Sequence, residues 1–414
     1  RCRRGGQIVY PKDGASHWYQ LSSATVLISS KSTSHTPPVS RMTTVTATET
    51  VPVGKKKIFL NSYDGPTYRL VSSNPPRDCT PDEIPIIDLE GMNGDLDARR
   101  SVARAIFHAA KTSGFFYIKN HGIPEHVTEA AHQKGIEFFK LPEEQKRKLE
   151  SRTSAYGYCG FRERQANPAE TKDRKEAFMC HYEPEFDPLH EGALDKVPAH
   201  VRQHLPKEDF DWVDEGSSAV LPGFKSSVLA HWRACLALSR RLIRVIALAL
   251  DLPEDHFDPL TTYPGGDFAI NFYPGHGAQP VQDPDEVGVG AHTDLQILTL
   301  LWQDGHRGLQ VLNRAGEWMW APPIRGTFVV NIGDFFMRMT NDRLSSTVHR
   351  VIQHGREDRI SMPFFFGFNF DQKLGVLPTC VDENNPAKYE PVTCGELIAK
   401  RLALAESNVQ RSGL

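Results

Sequence analysis

The chain has 414 residues, 24% of them charged and 39% hydrophobic, with a formal net charge of −3 at pH 7. That balance gives no electrostatic case for nucleic acid or an anionic membrane surface. No uncharged apolar run reaches the roughly eighteen residues a membrane-spanning helix needs. The seven cysteines are odd in number and form no Cys-x-x-Cys pair, which suits reduced thiols in the cytoplasm better than a disulfide scaffold or zinc ribbon.

Residues 1–53 are rich in Ser and Thr, carry only Asp13 and Glu49 as acids, and lack the patterned apolar content that offsets ordering entropy. They are expected to be a disordered tail or a non-native leader, with a transit peptide as a further reading. The chain opens on Arg, and Met42 offers an alternative start, so the status of residues 1–41 stays open.

From 54 to 225 the pattern is α/β. Ile84–Leu89 reads as a buried strand, and 96–112 as a helix with Val102, Ile106 and Ala109-Ala110 on its apolar side. Phe115–Ile118 is a second strand. A helix entered at Pro124 then carries Val127, Ala131, Ile136 and Phe139 inward. Residues 141–146 start a charged, exposed helix. His181 to Gly223 is Pro-rich and aperiodic, the composition of a lid or binding loop. Its histidines, His181, His190, His200 and His204, lack the spacing of a metal site and are expected to be solvated.

Residues 226–405 are expected to form the core. It opens on an amphipathic helix over 228–250, interrupted by His231, Arg233, Arg240, Arg241 and Arg244. Beyond Phe268, short runs at 308–312, 317–320, 327–332 and 361–368 are separated by Gly, Pro, Asn and Asp turns, which argues for a sandwich or jelly roll. A helix over 392–404 closes the chain, with Thr393 as N-cap and Glu396 at the capping-box position; residues 406–414 are a tail.

Three short motifs in this core carry chemistry. Asn271 and Tyr273, His292 and Asp294, and Arg359 and Ser361 are each two residues apart, so each pair shares one face of a strand. With His349, two imidazoles and a carboxylate can cap one face of an octahedral metal and leave three positions free, the facial triad of non-haem Fe(II) oxygenases. A His₂Asp zinc site is the rival, but it leaves unexplained why a strand bearing Arg359 and Ser361 follows the third ligand. A guanidinium fork beside a hydroxyl suits a carboxylate, and Tyr273 would add a third donor.

Asn271-Phe272-Tyr273-Pro274, Ala291-His292-Thr293-Asp294, Gly308-Leu309-Gln310-Val311, Asn331-Ile332-Gly333-Asp334, Val348-His349-Arg350-Val351 and Arg359-Ile360-Ser361 occur in that order. On these motifs the chain, from about Ile84 to Ala405, resembles the isopenicillin N synthase-like branch of the Fe(II)/2-oxoglutarate-dependent dioxygenases. The segment Asp173–Phe178 also resembles the family. The resemblance implies an α+β protein with a double-stranded β-helix (jelly-roll) core flanked by helices. It implies Fe(II) on His292, Asp294 and His349, with 2-oxoglutarate and O₂ as cosubstrates.

The distal carboxylate of 2-oxoglutarate would meet Arg359, Ser361 and Tyr273, with Asn271 nearer the metal. A small organic metabolite, of the kind met in secondary metabolism, would be hydroxylated, desaturated or cyclised, releasing succinate and CO₂. Phe365, four residues past Ser361, is a candidate substrate contact, as are Tyr156, Tyr158 and Phe161. An oxidase of the same fold that uses no 2-oxoglutarate, or a non-catalytic jelly-roll binder, would share parts of the pattern. The expected partner is a small molecule, with no nucleic acid and no membrane, on a monomer or weak oligomer.

Overall fold

Period-two apolar sequence rich in Val, Ile and Phe dictates the centre of the molecule. The computed structural model describes residues 51–401, apart from 64, 152–155, 191–195, 203–204, 206–209 and 215–219. Eight strands lie side by side in the order Ile86–Asp88, Phe115–Lys119, Phe328–Ile332, Leu298–Gln303, Arg359–Asn369, Pro264–Tyr273, Glu176–Cys180, Gly157–Cys159. All neighbours are antiparallel except the first pair. A second sheet of five strands runs Arg77–Asp78, Trp318–Trp320, Leu309–Leu312, His349–Val351, Val289–His292. The architecture is therefore mixed α+β, as expected.

Alternation divides the long strand Arg359–Asn369 between two environments. Ile360, Met362, Phe364 and Phe366 face a helical layer, where Phe364 meets Trp232 edge-on at 6.1 Å. On the neighbouring strand Phe272 does the same, stacking on Phe139 at 5.2 Å. Arg359, Ser361, Pro363 and Phe365 face the other way, into a cavity. The helical layer comprises Leu96–Thr112, Glu125–Phe139 and Phe224–Ala249. Asp95 caps the first of these by accepting from Ala98 N at 2.9 Å. Gly114 beyond its end has φ +73°, and a Cβ there would fall onto the carbonyl of Ser345.

Several expectations need adjustment. The helix begun at 141 is a single turn, Glu143–Lys146, and Lys146 is buried in an ion pair with Glu176 because Tyr158 and Glu176 wall it in. At the C-terminus Val392–Thr393 is a short strand, and the helix begins at Cys394. Its capping box is formed: Thr393 N donates to Glu396 at 2.9 Å, and Glu396 N donates to Thr393 Oγ1 at 3.0 Å. A hairpin of Lys55–Ser62 and Gly65–Ser72 precedes the first expected strand.

The two histidines described in the 181–223 segment, His181 and His190, are packed, not solvated. His181 is 1% exposed against Tyr156, and His190 stacks on Tyr263 at 4.3 Å. Burial of apolar rings and polar anchors outweighs the irregular backbone here. Asp187 receives two hydrogen bonds from Arg240, at 2.9 and 2.7 Å, and one from Tyr182 at 2.8 Å. The side chain of His200, all of His204, most of residues 1–53 and the whole 406–414 tail lie outside the described residues.

Asp187→Ala strands the Arg240 guanidinium in a largely buried setting. It should lower the unfolding free energy by about 3–5 kcal/mol in a urea titration. A loss below about 1 kcal/mol would mean that the pair behaves like a surface ion pair.

Candidate metal centre

His292 ends one strand of the small sheet, and His349 begins the strand paired with it; the two are direct cross-strand partners. Asp294 lies two residues past His292, on the connection to Leu298–Gln303. Their ring nitrogens and a carboxylate oxygen lie within 4.8 Å of one another, the only such His/Cys/Asp/Glu cluster among the described residues. Each Nε2 stands 3.7 Å from Asp294 Oδ1, and the two rings are 4.3 Å apart.

The groups behind these ligands fix their direction. His292 Nδ1 is 2.7 Å from the carbonyl of Gly290, and His349 Nδ1 is 3.1 Å from that of Thr347, each two residues upstream. A proton on Nδ1 donated to the carbonyl leaves the Nε2 lone pair facing the shared point. Asp294 Oδ2 accepts from Thr299 Oγ1 at 2.6 Å and Asn331 Nδ2 at 2.8 Å, so Oδ1 stays free for a metal. Asp294 O accepts from Asp334 N at 2.8 Å, and Asp334 is itself paired with Arg401. The strand bearing His292 is a sheet edge, and its N–H groups are satisfied from the 166–173 segment: Ala291 N donates to Glu170 at 2.5 Å, Gly290 N to Asp173 at 3.2 Å.

Electrostatics keep this set ready to ligate. Burial, then the neighbouring His349, pushes His292 down to about 4, so its imidazole is neutral at ordinary pH. Burial alone would raise Asp294, yet the two imidazoles and the Thr299 and Asn331 hydrogen bonds hold it below the usual carboxylate range. The Nε2 atoms of His292 and His349 with the anionic Asp294 Oδ1 are a suitable donor set for a ferrous ion.

The same cavity is lined by Asn271, Tyr273, Arg359, Ser361 and Phe365. Arg359 is fully buried, donating from Nε to the His306 carbonyl at 3.2 Å and from Nη2 to Gln303 at 3.0 Å. Its Nη1 has no hydrogen-bond partner, and no carboxylate pairs with it among the described residues. Tyr273 lies against the guanidinium at 4.9 Å, and Ser361 Oγ donates to Tyr273 Oη at 3.5 Å. Gly308 makes room for this arrangement, since a Cβ there would sit 2.5 Å from Arg359 Nε.

The four substrate candidates separate. Phe365 faces the cavity. Tyr156 Oη donates to Asp267 at 3.1 Å, and Asp267 is the cross-strand partner of Phe365. Tyr158 has the opposite strand parity: it pairs with Phe178, packs near Phe138 and donates to Glu176 at 2.6 Å, on the helical side of the sheet. Phe161 is 44% exposed, near the guanidiniums of Arg162 and Arg174. Of the four, only Phe365 lines the cavity. Sequence reasoning passed over Lys175, whose Nζ donates to Asn271 at 2.9 Å inside it.

Replacing Thr299 by Val or Asn331 by Ala frees Asp294 Oδ2 to turn. Either change should weaken Fe(II) affinity about 10- to 100-fold in an anaerobic metal titration. Unchanged affinity would show that these bonds do not orient the carboxylate.

Comparison with known proteins agrees with this geometry. Residues 264–368 match the model of the 2OG-Fe(II) oxygenase superfamily, and residues 84–208 match that of the non-haem dioxygenase N-terminal region in morphine synthesis. The 2-oxoglutarate-Fe(II) type oxidoreductase ppzC of Metarhizium majus is 40% identical over 368 residues, covering 86% of this chain and 97% of that protein. Homoarginine-6-hydroxylase 2-ODD-C23.1 of Arabidopsis thaliana is 34% identical, over 79% of this chain and 96% of its own. The crystal structure of a full-length Neurospora crassa protein in complex with alpha-KG superposes with a TM-score of 0.66 at 29% identity, covering 79% of this chain and 99% of that one. Another structure of the same Neurospora crassa protein holds alpha-KG and thymine and has the same TM-score at 28% identity, covering 80% of this chain and 99% of that one. On this likeness the chain belongs to the 2OG-Fe(II) oxygenase superfamily and is a non-haem iron, 2-oxoglutarate-dependent dioxygenase.

Proposed function

We propose that Arg359 anchors the distal carboxylate of 2-oxoglutarate, with Ser361 and Tyr273 as flanking donors and Asn271 nearer the metal. One observation carries this reading: a fully buried guanidinium with a free Nη1 and no paired carboxylate faces the cavity that holds the iron ligands. A buried cation without a counter-ion is costly, and a dicarboxylate supplies one. Bound iron, with 2-oxoglutarate and O₂, supplies the oxidising power, yielding succinate, CO₂ and an oxidised substrate.

The protein's own part is placement. His292, Asp294 and His349 hold the metal from one side, and their backbone and side-chain partners keep them aimed. Lys175 holds Asn271 in place through its Oδ1. Phe365 borders the space left for a small organic metabolite, and Tyr156 is tied to Asp267, the cross-strand partner of Phe365. The relatives named as homoarginine-6-hydroxylases favour hydroxylation over desaturation or cyclisation as the outcome.

On this reading the two sheets are the opposed walls of a jelly roll built mainly from residues beyond 226, while residues 54–225 pack helices on it and add strands to both sheets. No helix among the described residues is long and apolar enough to cross a membrane. The reading is of a cytoplasmic enzyme without membrane or nucleic-acid partners, monomeric or weakly oligomeric; the free described cysteines fit a reducing compartment.

Removing one member of a desolvated charge pair costs about 2–5 kcal/mol. Arg359→Gln should therefore raise the 2-oxoglutarate requirement about 30-fold to several thousand-fold, and Arg359→Lys should restore only part, since it keeps charge but loses the fork. An unchanged requirement in steady-state succinate assays would remove the anchor role. With the physiological substrate, succinate should form one-to-one with product.

A further inference from the structure

From the cavity wall a single row of cross-strand partners runs past the iron ligands. Phe115 pairs with Asn331, Asn331 with Thr299, Thr299 with Phe365, and Phe365 with Asp267. Partners directly opposite on antiparallel strands share a face. The row therefore runs across one wall. Phe115 meets the His349 ring edge-on at 5.3 Å, and Asn331 and Thr299 bond Asp294. Asp267 ends the row two strand spacings beyond Thr299, or about 10 Å.

The surroundings of Asp267 are rich in acceptors and poor in donors. One carboxylate oxygen accepts from Tyr156 Oη at 3.1 Å, and the other from Gln296 Nε2 at only 3.3 Å. A carboxylate offers about four lone-pair sites, so at least half stay open. Gln296 is 7% exposed and its Oε1 has no partner, a further acceptor without a donor. Gly265 and Gly367 are spaced two residues from Asp267 and Phe365, and a Cβ on either would fall onto the Gln296 amide. The Gln296 side chain is thus laid over two glycines beside Asp267. No lysine or arginine pairs with Asp267 among the described residues, and burial pushes its carboxyl up to about 7. An anion without a counter-ion beside orphan acceptors fits a planar, cationic, many-donor group.

We propose that Asp267 and Gln296 form the subsite that selects the substrate, binding a guanidinium or amidinium group on the molecule to be oxidised. Phe365 lies between that group and the metal, so a substrate held at Asp267 extends over the ring toward the iron. The assignment rests on the functional reading above, because it takes this cavity as the place where substrate and 2-oxoglutarate meet.

Calorimetry on the Fe(II) protein under anaerobic conditions tests it in two titrations. The first adds 2-oxoglutarate. The second adds n-butylguanidinium to the loaded protein and, separately, its neutral isostere n-butylurea. The guanidinium should bind about 30-fold or more tightly than the urea, as expected for a desolvated charge pair. Asp267→Asn should level the two affinities and leave that for 2-oxoglutarate unchanged, which also shows the variant to be folded. Equal affinities in the wild type, or a preference that survives in the variant, overturn the proposal. The wild-type comparison stands without the variant. Failure of the first titration overturns the functional reading and this inference together, whereas indifference to charge after normal 2-oxoglutarate binding overturns this inference alone.

Discussion

The register of the strand Arg359–Asn369 against its two neighbours is the constraint on which the site depends. That register sets Arg359 opposite Tyr273, Ser361 opposite both Asn271 and Gln303, and Phe365 opposite both Asp267 and Thr299. A slip of one residue would turn Ser361 and Phe365 into the helical layer and bring Ile360 and Phe364 into the cavity. The large apolar rings on the other face hold the register. Phe364 against Trp232 and Phe272 against Phe139 would lose their burial in any shifted pairing. Packing on one side of the sheet thus fixes the chemistry on the other.

The cavity has unmatched charge at two points. At one, Arg359 is buried with a free Nη1; at the other, Asp267 is half-buried against a tyrosine and an amide. Between them, the Asp294 carboxylate takes two hydrogen bonds on one oxygen, which leave the other facing two imidazoles for metal. Burying charge without a partner opposes folding unless the rest of the structure over-determines it. Here eight strands and three helices do so, and the unmatched groups remain available to small charged ligands.

The iron ligands and their neighbours were legible because period-two spacing survives in a single sequence. Arg359 and Ser361 read as a same-face pair and prove to be so, whereas His292 and Asp294 converge although the strand ends at His292 and Asp294 lies on the connection beyond it. Tyr158 was misread for the same reason inverted: its parity is set by pairing with Phe178, which no local pattern reveals. Thr299, Asn331, Gln296 and Asp267 escaped notice because their roles depend on strands far apart in the chain. Lys175 lies within the segment Asp173–Phe178, but only its pairing beside Asn271 gives it meaning. The hairpin 55–72 carries a signal in its Asp64-Gly65 dipeptide and flanking alternation that the sequence reading did not take up.

An anaerobic titration of the Fe(II)-loaded protein with 2-oxoglutarate, followed by visible absorption, tests the convergence of these groups most directly. The account predicts a weak metal-to-keto-acid charge-transfer band that saturates at one 2-oxoglutarate per chain. A mixture that stays colourless while iron remains bound would contradict it.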